Sequence, residues 1–143
     1  MEKRYLIGLD LGTTTIKAVF LDALEDQIVT TETEEIFPVA TDNPDYVEYA
    51  PGDWWEYIKR VLKRGFDAGV APGQVAGVCI CGYTVMALLV KENGEPLTNS
   101  IHYGDMRHIG LTEEIRGLID NIAAERNFNH VGMYSCLVKL YWW

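Results

Sequence analysis

Asp10, Gly12, Thr13, Thr14, Thr15 and Lys17 fall within one stretch, IGLDLGTTTIKAVFLD (7–22), of a 143-residue chain. A carboxylate, a glycine, three hydroxyls and an ammonium over so short a span are the parts needed to hold a metal-bound phosphate. If Asp10 ends a strand and the chain turns back at Gly12, the amides of residues 12–15 would face a small concavity. Successive backbone N–H groups make an anion site, and the threonine hydroxyls add donors. Asp10 would hold Mg²⁺ directly or through water, and the ion would bridge phosphate oxygens. Lys17 would reach a phosphate as a point charge. The competing reading is a plain hairpin in which Gly12 serves the turn and the threonines suit β structure. The stretch matches neither the Gly-Lys-Ser/Thr phosphate loop nor the Gly-x-Gly-x-x-Gly dinucleotide fingerprint.

Other groups with chemical potential lie further on. Asp105 and Arg107 alternate, so both can face one side of an extended segment; a surface ion pair is the plainer reading. His102, His108 and His130 are scattered, with no nucleophile placed beside them, and read as surface or cleft-rim residues. Trp54 and Trp55 could stack on a ring, but their helical spacing with Ile58 and Val61 favours packing for at least one. Tyr83 is a candidate to fill the apolar interior. Glu32, Glu34 and Glu35 read as a solvated strand face. Cys79 and Cys81 form a C-x-C pair with no histidine nearby, which is not a zinc spacing. With Cys136 they read as reduced thiols of a cytoplasmic protein.

These residues need elements to position them. Hydrophobic residues make up 48% and charged residues 23% of the chain, a globular composition. Twenty-one acidic against 12 basic side chains give a net charge of −9, which repels a nucleic-acid backbone at long range. The opening apolar run is stopped by Asp10, too short for a signal peptide, and no run is long enough to span a membrane. YLIGLD is a continuous apolar run, expected to be a strand buried on both faces. TIKAVFLD and QIVTTETEEIF continue it as an antiparallel meander. Residues 38–53 read as a loop. Asp53 is placed to cap a helix over WWEYIKRVLKRGFDAG, whose stripe of Trp54, Trp55, Ile58, Val61, Leu62 and Phe66 faces a core and which Gly69 ends. QVAGVCICG reads as a central strand. MALLVKENGEPL runs into an Asn93–Gly94 turn, with TNSIHYGDMR as the return strand. GLTEEIRGLIDNIAAERNF reads as a helix capped by Thr112. The order implies a mixed α/β domain with an antiparallel part, a parallel crossover and helices flanking the sheet.

The near-N-terminal IGLDLGTTTIKAVFLD resembles the first phosphate motif of the actin, sugar kinase and heat-shock chaperone ATPase superfamily. DYVEYAPGDWWEYI resembles the Gly-Trp-Val-Glu-Gln-x-Pro-x-Asp-Trp-Trp segment of FGGY carbohydrate kinases, the group of xylulokinase, glycerol kinase and gluconate kinase. VAGVCICGYTVMALLVKENGEPLTNSIHYGDMR resembles that family's Ser-Gly-Gln segment, Asp-x-x-Gly-x-Pro-Leu hairpin and Trp-x-Asp-x-Arg segment in the same order. LVKLYWW resembles its Pro-Lys-Leu-x-Trp helix start. The resemblance implies a ribonuclease-H-like (actin-like ATPase) domain over 1–143, truncated at its C-terminal end, with the second kinase domain absent.

The resemblance also implies ATP and Mg²⁺ as cofactors and a small sugar or polyol as substrate. It casts Asp10 as the metal-associated carboxylate, and Gly12, Thr13, Thr14 and Lys17 as the phosphate side. Gly82, Tyr83, Thr84, Asp105 and Arg107 become the sugar side, with the catalytic aspartate beyond Trp143. Cys81-Gly82-Tyr83-Thr84-Val85 keeps only the glycine of Ser-Gly-Gln-Met-His, and Tyr103 replaces the Trp of Trp-x-Asp-x-Arg, so no particular sugar is implied. The expectation is therefore an N-terminal kinase fragment, inactive by itself, in the cytoplasm. Its aromatic C-terminus would be covered by the missing kinase region or by a self-associating partner. The alternative is a non-catalytic sugar-binding or protein-interaction module derived from such a kinase.

Overall fold

A computed structural model describes residues 3–83, 85–125, 132 and 135–143. They form two compact units, Met1–Phe37 with Gly52–Tyr83, and Pro38–Pro51 with Thr84–Trp143. The first unit holds β1 (Tyr5–Leu11), β2 (Thr15–Asp22), β3 (Gln27–Glu35), the long helix α1 (Pro51–Asp67) and β5 (Val75–Gly82). The second holds β4 (Glu48–Tyr49), β6 (Ser100–Ile101), α2 (Thr112–Glu125) and α3 (Cys136–Trp142).

The sheet of the first unit runs β3-β2-β1-β5. β1–β2 and β2–β3 are antiparallel, as the meander requires, and β1–β5 is parallel through the α1 crossover. Residues directly opposite across an antiparallel pair share a face. Ile7 therefore lies opposite Phe20, Leu9 opposite Ala18 and Leu11 opposite Ile16. This face is buried under α1. The Phe20 ring meets Phe66 edge-on, with centroids 5.9 Å apart. The other face carries Leu6, Gly8 and Asp10 on β1 against Leu21, Val19 and Lys17 on β2, and Leu6, Gly8, Asp10 and Lys17 are exposed. The expectation that β1 is buried on both faces is thus corrected: its apolar run is continuous, but helix covers only one side. QVAGVCICG is likewise an edge strand, not a central one. Val78 and Ile80 are 53% and 61% exposed, because no described strand pairs beyond β5.

α1 begins three residues before the expected start. Pro51 occupies the first helical position, where its fixed φ and missing N–H cost nothing, so Asp53 sits inside the first turn and not at the cap. There its charge still favours the helix dipole. Gly69, at φ +108, follows the helix end. Trp55 is exposed while Val61 and Gly65 are buried. Glu32 and Glu34 are no solvated face: Arg64 bonds Glu32 at 3.2 Å and Glu34 at 2.8 Å, and Arg60 bonds Glu34 at 3.0 Å.

In the second unit a two-residue ladder joins β4 to β6 antiparallel, so residues 38–53 are not all loop. The Asn93–Gly94 turn is present, with Gly94 at φ +84 and its N–H donating to Lys91 O. The expected strand before it reduces to bridges at Val90–Pro96 and Ala87–Ile101, and the return strand after it to the two residues of β6. Thr112 has helical φ and ψ after a 3₁₀ turn over Ile109–Leu111. It is therefore a helical residue and not a cap, and residues 126–128 of the expected helix lie outside the described residues. Ser135 caps α3 by accepting the Leu137 N–H at 3.2 Å. Ile115 and Val138 form a small core with Leu111 and Ile119.

Gly65 offers a test of how α1 docks. A Cβ built there would lie 2.0 Å from the Phe20 ring. Helix propensity alone makes Gly65→Ala stabilising by about 1 kcal/mol. Overpacking against a buried ring costs about 1–3 kcal/mol and more when backbone must shift. The close approach decides the sign, so Gly65→Ala should lower the denaturation midpoint, and Gly65→Ala with Phe20→Leu should recover part of the loss. Chemical denaturation followed by circular dichroism reads both.

Candidate functional site

The candidate residues divide between the two units. In the first, β1 and β5 run in register to their carboxyl ends, where Leu11 pairs with Gly82. The Tyr83 N–H then donates to Leu11 O at 3.3 Å. The Gly12 loop and the Gly82–Tyr83 segment therefore leave the same end of adjacent parallel strands. In open α/β sheets that end is where ligands gather. The Tyr83 ring lies against Trp54, centroids 5.7 Å apart, so one of the two tryptophans does pack.

The turn is tight. The Gly12 N–H donates to Thr15 O at 3.0 Å, and a Cβ on Gly12 would lie 2.7 Å from that oxygen. The glycine is needed for this close approach. Its amide closes the hairpin, which corrects the expectation that all four amides from 12 to 15 face a ligand. Thr14 O accepts the Ile36 N–H at 2.9 Å, tying the loop to the end of β3. Asp10 and Lys17 are opposite neighbours on the uncovered face. Neither enters a hydrogen bond or ion pair among the described residues, so both side chains are available. Among the described residues no group of three or more His, Cys, Asp and Glu converges.

In the second unit Asp105 and Arg107 are brought together and buried. Asp105 accepts from Arg107 Nε at 2.8 Å and Nη2 at 2.7 Å, and from the N–H groups of Val47 and Arg107 at 2.7 and 3.1 Å. Arg107 also meets Glu48 at 2.6 Å. Its guanidinium carbon lies 3.9 Å from the Tyr46 ring centre and 5.2 Å from that of Trp142. The surface ion pair is excluded, and Trp142 packs back in part. Burial disfavours the Asp105 charge, but the Arg107 guanidinium and the two amides outweigh it and hold its carboxyl below the ordinary range. Burial likewise opposes charge on Arg107, which Asp105 and Glu48 overcome.

His102 is pulled below its ordinary value by burial and by the Lys139 charge. His108 is buried, not at a rim, with Nδ1 3.8 Å from Asp105. Thr84 and His130 lie outside the described residues. Tyr46, Glu48 and Trp142 were not singled out as partners of Arg107. They lie 61, 59 and 35 positions away in sequence, and only the aromatic-acidic run around Tyr46 and Glu48 hinted at them.

Residues 5–143 match the FGGY family of carbohydrate kinases, N-terminal domain. The chain belongs to this family. It is 28% identical over 144 residues to a xylulose kinase of Staphylococcus epidermidis, covering 99% of this chain. It is 26% identical over 140 residues to a glycerol kinase of Thermococcus onnurineus, covering 97%. The chain spans 28% of the length of both relatives. Among solved structures, xylulose kinase from Rhodospirillum rubrum superposes with a TM-score of 0.82 at 27% identity, over 97% of this chain and 29% of that one. The fold is that of the N-terminal part of an FGGY kinase. Among the described residues no helix is long and apolar enough to cross a membrane.

The buried pair predicts a pH response. A carboxyl titrating lower in the folded than in the unfolded chain stabilises the fold above the unfolded value, and this contribution is lost as pH falls through the folded value. Removing one partner of a buried pair costs about 3 kcal/mol. Asp105→Asn should therefore lower stability near neutral pH and flatten the acid limb of the stability–pH curve. Urea titrations read by fluorescence between about pH 7 and pH 3 check both outcomes.

Proposed function

We propose that this chain supplies the phosphate loop and part of the sugar side of an ATP-dependent carbohydrate kinase. The reaction class is transfer of the ATP γ-phosphate to a hydroxyl of a sugar or polyol. The observation that carries the reading is the paired end of β1 and β5, where the loop after Asp10 and the segment starting at Gly82 emerge side by side. Asp10 holds the Mg²⁺ of the nucleotide. Thr13, Thr14 and Lys17 face its phosphates, and Gly12 sets the turn that presents them. The bound ion supplies the positive charge that offsets charge building on the phosphoryl oxygens. Gly82, Tyr83 and Thr84 take part in binding the sugar, as do Asp105 and Arg107 of the second unit, which are paired with each other.

Residues 1–143 act as an N-terminal ribonuclease-H-like domain of such a kinase and do not turn over alone. Phosphoryl transfer depends on positioning and charge on both sides of the phosphate, and this chain spans 28% of its curated relatives. The uncovered sheet face supports the same reading. Leu6, Val19, Leu21 and Cys79 line a shallow apolar depression of about 390 Å³. A patch of this kind suits further polypeptide of the same kinase. It equally favours the second reading, a non-catalytic module that binds a partner through this face.

Ligand binding to the folded chain raises its melting temperature, and a ligand present at about 100 times its dissociation constant adds about 2.7 kcal/mol. MgADP should raise the melting temperature of the 143-residue chain and should not raise that of Asp10→Asn. ATP with a panel of polyols and ketoses should give no phosphorylated product. Absence of any nucleotide shift would count against the phosphate loop. Robust turnover would refute the need for further polypeptide.

A further inference from the structure

α3 carries a lysine where its apolar run calls for a hydrocarbon. Lys139 is fully buried in LVKLYWW, and its Nζ donates to Val85 O at 2.9 Å. Cys136, three residues earlier and so on the same helical face, directs its Sγ to Met86 O at 3.5 Å. Two side chains of one helix turn thus hold two consecutive carbonyls. Those carbonyls belong to a stretch outside any strand, where no ladder partner exists. Val85 and Met86 follow directly on Thr84.

A buried ammonium is expensive, because desolvation opposes its charge. Burial pulls Lys139 below its ordinary value, with the Asp105 charge acting in the opposite direction. A methionine would fill the same space without that cost. What the ammonium alone provides is a strong donor to a carbonyl that burial would otherwise leave unsatisfied.

We propose that Lys139 and Cys136 are positioning residues: together they anchor the backbone of Val85 and Met86 and thereby fix the path of the chain into the Ala87–Ile101 bridge. Its consequence for a sugar rests on the kinase reading above; the anchor itself does not. Lys139 acts through the chain that it holds.

Amide hydrogen exchange on the 143-residue chain tests the anchor. Two reporters adjoin the anchored carbonyls: the Ala87 N–H, bonded to Ile101 O at 3.2 Å, and the Leu89 N–H, bonded to Thr98 Oγ1 at 3.1 Å. In Lys139→Met both should exchange about tenfold faster, while the amides of Ile7 and Phe20 in the first unit keep their rates. Lys139→Arg should restore both reporters to within about threefold of the parent, since it returns a donor. Cys136→Ala removes the weaker contact and should accelerate them about threefold, which decides the matter if Lys139→Met does not fold. Unchanged reporters in a folded Lys139→Met or in Cys136→Ala overturn the anchor. So does acceleration of all four amides together without rescue by arginine, which marks general loosening. Polyol binding, read separately by melting shifts of the parent chain, bears on the kinase reading alone: its absence removes that reading and leaves the exchange result standing.

Discussion

β1 is hydrogen-bonded on both sides, antiparallel to β2 and parallel to β5, and the first unit depends on that double pairing. A strand read one residue out of register would turn every side chain to the wrong face. Ile7 and Leu9 would leave α1, and Asp10 would turn into the core. The register is fixed twice. Gly12 closes the hairpin to β2 by an approach that no other residue tolerates without a shift. The crossover through α1 returns the chain so that Gly82 meets Leu11. The candidate phosphate loop and the first candidate sugar residues share one end of the sheet because both pairings run to the last residue of β1.

The packing under α1 explains how so short a chain holds that arrangement. Phe20 lies directly on the Gly65 backbone, which lets the helix approach the sheet closely. Arg60 and Arg64 then reach over the sheet to the acids of β3. Such pairs add little each where solvent reaches them. Their spacing matters more than their energy. Residues four apart on a helix and two apart on a strand present side chains in parallel rows, so the contacts specify one helix orientation.

Much of this was legible in the sequence. Alternation and turn chemistry gave the three-strand meander, the long helix and the Asn93–Gly94 turn, and the ordered motifs gave the family. The failures share a cause. A run such as VCICG states that a strand is apolar, not how many of its sides are covered, because coverage depends on elements elsewhere. Glu32 and Glu34 looked solvated for the same reason: their partners lie about 30 residues on, in α1. Thr112 and Asp53 had capping chemistry, but Pro51 and the 3₁₀ turn before Thr112 moved the helix starts. Asp10 and Lys17 lie opposite each other on the exposed face of β1 and β2. The Gly12 amide is not free for a ligand, since a hairpin this tight bonds it to Thr15 O.

The second unit places charge where a small core would be expected to exclude it. Asp105, Lys139 and His108 are buried, and so is the Arg107 side chain. Apolar substitutes of equal volume are commonly as stable or more so, so stability alone is a weak account of these groups. Three of them are instead bound to backbone or to neighbours on irregular chain: Asp105 to the Val47 N–H, Lys139 to Val85 O, and Arg107 to Asp105 and Glu48. Among the described residues the strands of this unit are two residues long and the other pairings are isolated bridges, so few ladder bonds define its path. Where ladders are short, directional polar contacts take over the task of selecting one backbone conformation. The segments they select are those around Val47, Val85 and Arg107, so these buried charges are better understood as order imposed on irregular chain than as added stability.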